Sequence, residues 1–423
     1  MSVDVGQESF DPLDAAVRRC PHPHYARMRA EAPVQYVDAV GMYFVTRYDL
    51  VDQVLRDPHT FSSSRDKFAI LRYRNPDDRA ALAAVEAEGY PRVSTLIRVD
   101  PPTHTRYRRL VSKAFSPRAI AELEPVAREI TTRLMDGWSD VEPVEFVSQF
   151  AVPLPLQVIA RALNVPDDRL ADFKRWSDNI VISTGANPSL EALLAAERGL
   201  NEFQHYFADA LEQRRAHPQD DLLTSLLNAR IDDDDPDVTD KRPLDLPEML
   251  NLIQQVLAGG NETTTKLLTE MMLLLAEHPD VWSRMQREPS VIPAVVEESL
   301  RWVSVAQGML RIATRTVELG GVEIPEGSTV VPMFASANRD EQVFDDPGRF
   351  EPDRGNLSEH VAFGKGPHYC LGASLTRLEV RVAMEELSRR VRSFTLSDSN
   401  DFAYNPSFLL RGLVKLDLDL VMS

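Results

Sequence analysis

Cysteine is scarce in this chain of 423 residues: only Cys20 and Cys370 occur, far apart in the sequence. Two cysteines cannot build a disulfide framework, and a cysteine-rich zinc module needs more of them. In a reducing cytoplasm, the compartment that we expect, an isolated cysteine remains a thiol. Cys370 is therefore available for chemistry.

Long apolar runs and an excess of positive charge are also missing. No segment approaches the ~20 apolar residues of a membrane-spanning helix, and the N-terminal MSVDVGQESFDPLD lacks the basic start and apolar run of a secretory signal. Asp and Glu outnumber Lys and Arg by 65 to 47, which gives a net charge of -18. Because such a surface repels phosphate-rich partners, we expect neither nucleic-acid nor membrane binding.

The composition is that of a globular protein, with 43% hydrophobic and 26% charged residues. The length permits two or three domains, and one large body is equally allowed. Helical patterns dominate, and short β segments are expected around Gly41 and over residues 317–323 and 329–334. The sequence therefore predicts a mainly α fold with small β-sheets.

One helix is predicted to be much longer than the others. Asp245 is placed to cap it, with Pro247 in its first turn and Glu248 three residues after the cap. Apolar or small residues then follow at alternating steps of four and three up to about residue 278. At ~1.5 Å per residue the helix would be roughly 50 Å long, enough to cross a whole domain. We therefore predict a single domain over residues 1–423.

The strongest chemical signal is FGKGPHYCLG, residues 363–372. A sulfur at a helix N-terminus meets the positive end of the helix dipole and unpaired N–H groups, which favour a thiolate. Gly364 and Gly366 allow a tight loop, Gly372 leaves room for a flat ligand, and Phe363 would shield the sulfur. The alternatives are a buried core cysteine, a nucleophile or a zinc ligand, but only His368 lies nearby in the sequence.

This segment resembles the heme-binding signature of the cytochrome P450 family, FxxGxxxCxG, without departure. The resemblance implies heme b, iron-protoporphyrin IX, with the thiolate of Cys370 as the axial metal ligand. Phe363, Gly364 and Gly372 would be cofactor-binding residues. The implied fold is the cytochrome P450 fold, an α-helical prism with a long central helix over the heme, and the implied activity is that of a heme-thiolate monooxygenase.

Within the predicted long helix, AGGNETTT at residues 258–265 resembles the oxygen-activation motif of the same family. Gly259 and Gly260 would thin the helix where heme and dioxygen approach, and Glu262 and Thr263 would be the catalytic acid and hydroxyl for proton delivery. A glycine inside a helix lowers helix stability by about 1 kcal/mol relative to alanine, so a pair of them indicates a requirement other than helix stability. Helix packing through small residues is the alternative.

Four basic residues match the family's partners for the heme propionates. In DPPTHTRYRR, which begins with a predicted capping Asp, His104 and Arg108 lie four residues apart and so share one helix face. Arg311 and His368 are implied to have the same role. Each of these residues, taken alone, also fits a surface arginine or a satisfied core histidine.

A second family landmark is structural. EESLR contains Glu298 and Arg301 at ExxR spacing, and PGRF supplies Arg349. By resemblance these three residues form a buried triad that supports the heme core. Alone, such spacing is as typical of an exposed ion pair, which contributes only tenths of a kcal/mol.

The resemblance also implies partners. Electrons would come from a separate ferredoxin and ferredoxin reductase, because the chain ends soon after the heme helix. An acidic ferredoxin could meet a basic patch, which we predict from residues Arg106, Arg109, Lys113, Lys365 and Arg377.

The implied substrate is O2 together with a lipophilic small molecule of the steroid, terpenoid, fatty acid or polyketide type. The predicted pocket uses mainly apolar segments: 65–98, 179–188, Leu257, Ala258, 303–309 and 408–410. Arg72 and Arg74 could meet a substrate carboxylate. The alternatives are the same fold acting as a peroxide-driven or non-redox heme enzyme, and a non-enzymatic heme carrier or sensor.

Overall fold

The structure, a computed structural model, describes residues 10–64, 76–184, 188–232 and 234–423. The described residues form sixteen α-helices and ten short strands, which confirms the mainly α prediction. The helices are α1 (Ala15–Arg19), α2 (His22–Glu31), α3 (Tyr48–Arg56), α4 (Pro76–Glu86), α5 (Thr103–Ser112), α6 (Pro117–Ala121), α7 (Glu124–Met135), α8 (Pro153–Ala162), α9 (Leu170–Thr184), α10 (Leu190–Ala216), α11 (Leu222–Leu227), α12 (Leu246–Glu277), α13 (Pro279–Arg287), α14 (Ile292–Val303), α15 (Phe334–Ala337) and α16 (Ala373–Arg390). The strands are β1 (Val34–Val37), β2 (Met42–Val45), β3 (Phe61–Ser62), β4 (Val144–Glu145), β5 (Arg311–Ala313), β6 (Val317–Leu319), β7 (Val322–Ile324), β8 (Thr329–Pro332), β9 (Val391–Leu396) and β10 (Asp417–Met422).

The strands form three small sheets with the orders β1-β2-β8-β5-β3, β4-β10-β9 and β6-β7. Strands β2 and β8 pair in parallel, and the other neighbours are antiparallel. The hairpin predicted around Gly41 is β1-β2, and Gly41 has a φ of +66° in its turn. That left-handed conformation is one that glycine adopts without a steric penalty.

The chain divides into two compact units. Unit 1 comprises the described residues within Met1–Ser62, Thr131–Pro153 and Thr263–Ser423. Unit 2 comprises those within Ser63–Ile130 and Leu154–Glu262. Helix α12 contributes its first half to unit 2 and its second half to unit 1, and the single domain over residues 1–423 stays a prediction. Among the described helices, none combines the length and the apolar character that crossing a bilayer demands.

The start of α12 was predicted correctly. The backbone N–H of Glu248 donates to Asp245 Oδ1 at 3.0 Å, and the N–H of Asp245 donates to Glu248 Oε2 at 2.9 Å. This reciprocal arrangement is a capping box, which satisfies donors that the first helical turn leaves unpaired. Arg106 anchors the box because its Nη1 donates to Glu248 Oε1 at 2.9 Å.

The core of unit 1 begins with α3, which follows directly from its apolar pattern. Leu50, Val51, Val54 and Leu55 are buried and pack against strands β1, β2, β3, β5 and β8. Their spacing places all four side chains on one helix face. This packing fixes the carbonyl of Leu55, which the cysteine loop approaches closely.

Glu298 and Arg301 form the predicted buried pair on α14. Both side chains have no exposed surface, and two parallel hydrogen bonds of 2.7 Å join them. The guanidinium also donates to the carbonyls of Asn338 at 2.8 Å and of Pro347 and Arg349 at 3.1 Å. The pair therefore fastens the segment before the cysteine loop to α14.

The prediction that Arg349 is the third member of the buried triad is wrong. Its side chain is 69% exposed and pairs with Glu351, whereas Arg354 is 7% exposed and places Nε 3.6 Å from Glu298 Oε1. What Arg349 contributes is its carbonyl, which accepts from Arg301 and from Arg354. The motif thus marks the right segment but the wrong side chain.

Candidate functional site

The cysteine loop, residues 363–370, lies in unit 1 and is closed by a backbone hydrogen bond between its first and last residues. The backbone N–H of Cys370 donates to the carbonyl of Phe363 at 2.9 Å, and the N–H of Tyr369 donates to the carbonyl of Gly366 at 3.1 Å. Residues 366–368 form one 3₁₀ turn inside the loop. Cys370 is partly buried, and neither cysteine of the chain forms a disulfide.

Two loop glycines are needed for steric reasons, as the sequence predicted. Gly364 and Gly366 both have a φ of +69°. A Cβ on Gly366 would lie 2.5 Å from the carbonyl oxygen of Leu55, a contact that no side chain could make. These glycines therefore let the loop turn tightly against α3 and return the chain to the sulfur.

The cysteine does not open the last helix. Helix α16 begins at Ala373 with Gly372 as its N-cap, three residues after Cys370, where the sequence predicted a helix from the cysteine itself. The sulfur therefore lies before the first helical turn. The first i to i+4 hydrogen bond of the helix runs from the N–H of Thr376 to the carbonyl of Gly372 at 2.9 Å.

The surroundings of Cys370 fit a flat ligand on its sulfur. The residue is partly exposed, and a Cβ on Gly372 would lie 4.0 Å from Cys370 Sγ, in the space beside the sulfur. A side chain at that position would occupy this space, whereas glycine leaves it for a cofactor. The donor is a single thiol, which suits an iron held mainly by a macrocycle.

The predicted propionate partners fall in both units. In unit 1, Arg311 is a buried residue of β5 and His368 is half-buried in the 3₁₀ turn. In unit 2, His104 is buried and Arg108 is half-buried, one turn apart on α5. Their role stays a prediction. Asp100, which begins this motif, is not the N-cap of α5, because that position is Pro102. The Asp100 carboxylate accepts from the N–H of Ser63 at 2.8 Å.

The two glycines of α12 serve different purposes. A Cβ on Gly260 would lie 2.6 Å from Ile159 Cδ1, so close packing within unit 2 explains this glycine. A Cβ on Gly259, by contrast, would have no atom of the described residues within 4 Å. Gly259 therefore fits the predicted thinning of the helix, and Gly260 fits the packing alternative. Glu262 and Thr263 follow on the same helix, both half-buried.

Two predicted pocket segments meet in unit 1. The N–H of Gln307 donates to the carbonyl of Leu409 at 2.8 Å, and Ala306 and Leu410 form an isolated β-bridge. Phe408 and Leu409 pack against a buried cluster that includes Phe44 and Met333. Residues 65–75, with Arg72 and Arg74, and residues 185–187 lie outside the described part of the chain.

The prediction that Arg106 belongs to a basic surface patch is wrong. Its side chain is 3% exposed and is paired with Glu248, which removes it from any docking surface. Arg109 pairs with Asp235 and Asp237.

Sequence reasoning missed an ion cluster at the cysteine loop. Glu297 on α14 bonds Arg377 on α16 through two hydrogen bonds, and His360 before the loop lies 3.0 Å from the same carboxylate. The signal was present as the first Glu of EESLR, next to the ExxR pair. Lys365 is likewise paired, 3.5 Å from Asp52.

A second missed residue is Glu379, a buried acid on α16. It is 1% exposed, and the side chain beside it is Thr264 of α12, which is fully buried. Neither the Thr264 hydroxyl nor Glu379 Oε1 has a hydrogen-bond partner of good geometry among the described residues. Burial raises the pKa of Glu379 to about 8, and the neighbouring hydroxyl offsets only part of this rise.

Replacing Glu379 by Gln is expected to stabilise the protein increasingly as the pH rises. Between the ordinary pKa of 4.5 and the folded value of about 8, the folded state holds a proton that the unfolded state releases. Stability therefore falls across this window by at most about 1.4 kcal/mol per pH unit, and the amide removes that loss. Urea unfolding of wild type and E379Q across the window measures the slopes. Glu385→Gln, which removes a carboxylate paired with Arg381 on the same helix, is the control. Parallel slopes for wild type and E379Q would show that Glu379 is ionised in the fold.

Comparisons with known proteins agree with this geometry. The family model for Cytochrome P450 matches residues 35–411. The 6-deoxyerythronolide B hydroxylase of Saccharopolyspora erythraea is 35% identical over 401 residues, which are 94% of this chain and 95% of the hydroxylase. The structure of cytochrome P450 CYP109Q5 from Chondromyces apiculatus has a TM-score of 0.85 and 37% identity over 98% of each chain. CYP109E1 from Bacillus megaterium in complex with testosterone has a TM-score of 0.80 and 32% identity over 94% of this chain and 98% of that one.

These matches cover nearly all of the chain and establish more than a shared fold. The family binds heme b, and its bacterial members oxidise small molecules with O2 and electrons from redox partners. The expected fold, cofactor and enzyme class are thereby confirmed. The chain belongs to the cytochrome P450 family and is a heme b-dependent monooxygenase.

Proposed function

We propose that this monooxygenase inserts one oxygen atom from O2 into a lipophilic small molecule of the steroid, terpenoid, fatty acid or polyketide type. The observation that carries the proposal is the cysteine loop, in which Gly364, Gly366 and Gly372 present a partly exposed Cys370 thiol beside an open space. Heme, when bound there, supplies the redox chemistry that splits dioxygen. Cys370 is the proposed thiolate ligand.

The other residues hold the cofactor or move protons. Phe363, Gly364, Gly372 and Gly259 are proposed to give the cofactor its space and cover. Positive charge for the two propionates is proposed to come from four residues: His104, Arg108, Arg311 and His368. Glu262 and Thr263, neighbours on α12, are proposed to deliver protons through a carboxyl group and a hydroxyl group.

The lipophilic substrate class rests on the pocket segments of unit 1 and on the relatives. Val305, Ala306 and Met309 on one side and Phe408 and Leu409 on the other are apolar. A pocket lined by these residues would favour ligands that bury hydrocarbon surface. The hydroxylase from Saccharopolyspora acts, by its name, on a polyketide, 6-deoxyerythronolide B, and CYP109E1 was solved with the steroid testosterone.

We propose a separate ferredoxin and ferredoxin reductase as the electron source and the cytoplasm as the site of action. The test is turnover of heme-loaded protein with a ferredoxin, its reductase and isotopically labelled dioxygen, on a panel that contains testosterone and a macrolide aglycone. Binding is scored by the spin-state shift of the Soret band, and the product by mass. Labelled product that depends on the ferredoxin supports the proposal. Product that forms only with added peroxide, or that lacks the label, contradicts it.

Thr263→Ala is expected to uncouple electron use from product formation. The alanine removes the hydroxyl that we assign to proton delivery but keeps the helix, because alanine is the best helix former. Reducing equivalents should then end in hydrogen peroxide, with the product yield per electron pair falling by about a hundredfold, the lower end of the range for loss of a positioned acid or base. Peroxide and product are measured in the same reaction. Thr265→Ala is the matched control, since its hydroxyl donates to the carbonyl of Ala151 at 2.9 Å. Equal coupling in T263A and wild type would remove Thr263 from the proton path.

A further inference from the structure

The Glu297 cluster joins the two flanks of the cysteine loop. We use this name for Glu297, His360, Phe363 and Arg377. Glu297 Oε1 accepts from Arg377 Nε at 2.6 Å, and Oε2 accepts from Arg377 Nη2 at 2.9 Å. His360 Nδ1 accepts from the N–H of Ala362, so Nε2 is the ring donor, and it lies 3.0 Å from Glu297 Oε2. A single carboxylate on α14 thus holds one residue before the loop and one after it.

Arg377 also reaches the residues that surround the sulfur in the chain. Its Cζ lies 4.6 Å from the centre of the Phe363 ring, within the range of a cation–π contact. Its Nη1 donates to the Tyr369 hydroxyl at 3.2 Å. The backbone carbonyl of Phe363 in turn accepts a hydrogen bond from the N–H of Cys370 at 2.9 Å. The guanidinium therefore contacts the residue whose carbonyl accepts from Cys370 and the residue that precedes Cys370 in the chain.

The cluster is held by geometry as well as by charge. The Arg377 and Glu297 side chains are 35% and 24% exposed, so water screens the pair only in part. Burial alone would raise the pKa of Glu297, but hydrogen bonds from His360 and Arg377 outweigh it and lower the pKa to about 2. The acid is a carboxylate at any working pH. Its two oxygens fit the fork of an arginine, which lysine cannot reproduce.

We propose that Arg377, fixed by Glu297, is a positioning residue that holds the Phe363 ring and, through the Phe363 carbonyl, the backbone of Cys370. It keeps the sulfur shielded and correctly aimed at the heme iron. This inference rests on the proposed role of Cys370 as the thiolate ligand. It also takes Arg377 out of the predicted basic patch, because its guanidinium is committed to Glu297 and Phe363.

The test compares four variants of the heme-loaded protein: R377Q, R377K, E297Q and the control R381Q. Arg381 lies one turn further along α16, is similarly exposed at 29%, and pairs with Glu385 at 2.8 Å. The readout is the rate at which the ferrous carbonyl complex loses its red-shifted Soret band at fixed temperature. R377Q should lose the band about fivefold faster than wild type, which is what loss of an ordinary cation–π contact implies. E297Q should behave similarly, R377K should be intermediate, and R381Q should match wild type.

The heme reduction potential, measured together with the stability of the band, distinguishes a positioning role of Arg377 from a purely electrostatic one. R377Q removes a positive charge and E297Q a negative one, so a purely electrostatic role would shift the heme potential in opposite directions and leave the band stable in both. Positioning predicts faster loss of the band in both variants. If R377Q and E297Q keep the band for as long as R381Q does, the positioning role of Arg377 is wrong, while the ligand role of Cys370 still stands. Heme-loaded wild type without the band would overturn the ligand role of Cys370 and the inference with it. If R377Q does not fold, R377K and E297Q decide.

Discussion

Replacing Cys370 by serine is expected to abolish the red-shifted Soret band of the ferrous carbonyl complex and, with it, monooxygenase turnover. The band reports an anionic sulfur on the iron, and a serine hydroxyl does not ionise as a thiol does. The loop itself should survive, because the substitution keeps the size of the side chain and the N–H that donates to Phe363. Heme content, the carbonyl spectrum and circular dichroism are measured on the same samples.

The chain provides its own control for this experiment. Cys20 is the other cysteine, an exposed residue at the C-terminal end of α1. Cys20→Ser should therefore keep the red-shifted band and full turnover. A C370S protein that retained the band, or a C20S protein that lost it, would show that the ligand has been assigned to the wrong residue.

The sequence was a good guide where a local rule decides the structure. The capping box depends on contacts between Asp245 and Glu248, three residues apart, and the turn of the hairpin depends on the φ angle of Gly41. Gly364 and Gly366 were equally readable, since a turn that needs a positive φ selects glycine. The family motif added what local rules cannot supply, namely the iron chemistry of Cys370.

The sequence was a poor guide where long-range packing decides. Nothing near Arg349 shows that its side chain points to solvent while its carbonyl is used, or that Arg354 is the residue turned inward. Gly260 was attributed to the cofactor, whereas Ile159, a hundred residues earlier, fills the space beside it. Glu379 gave no local sign that it would be buried.

The surface prediction was wrong for Arg106 for a related reason. Counting cations in the sequence suggested a basic patch, but Arg106 is buried beside Glu248, and Lys365 and Arg377 are paired with carboxylates. An arginine that is held in a bidentate pair does not offer its charge to a partner as a solvated one does. Charge available for docking is a property of the fold, and a count overestimates it in a chain this rich in acid.

Arg301→Ala is expected to destabilise the protein by about 3–5 kcal/mol, the cost of leaving one member of a buried ion pair without its partner. Total folding stabilities are about 5–15 kcal/mol, so this loss removes a large share of the stability and should lower the yield of folded, heme-loaded protein. The alanine leaves the Glu298 carboxylate buried and removes the donor to the carbonyls of Asn338, Pro347 and Arg349. The midpoint of urea unfolding and the yield of heme-loaded protein measure the loss.

Two further arginines make this experiment specific to the geometry. Arg354→Ala removes the donor to the Arg349 carbonyl and a cation 3.6 Å from Glu298, and should cost about 1–3 kcal/mol. Arg349→Ala shortens a side chain that is 69% exposed and should change stability by no more than about 0.5 kcal/mol. The family motif read from the sequence predicts the opposite order. Because both variants remove one guanidinium from the same short segment, the order of their unfolding midpoints decides which arginine completes the triad.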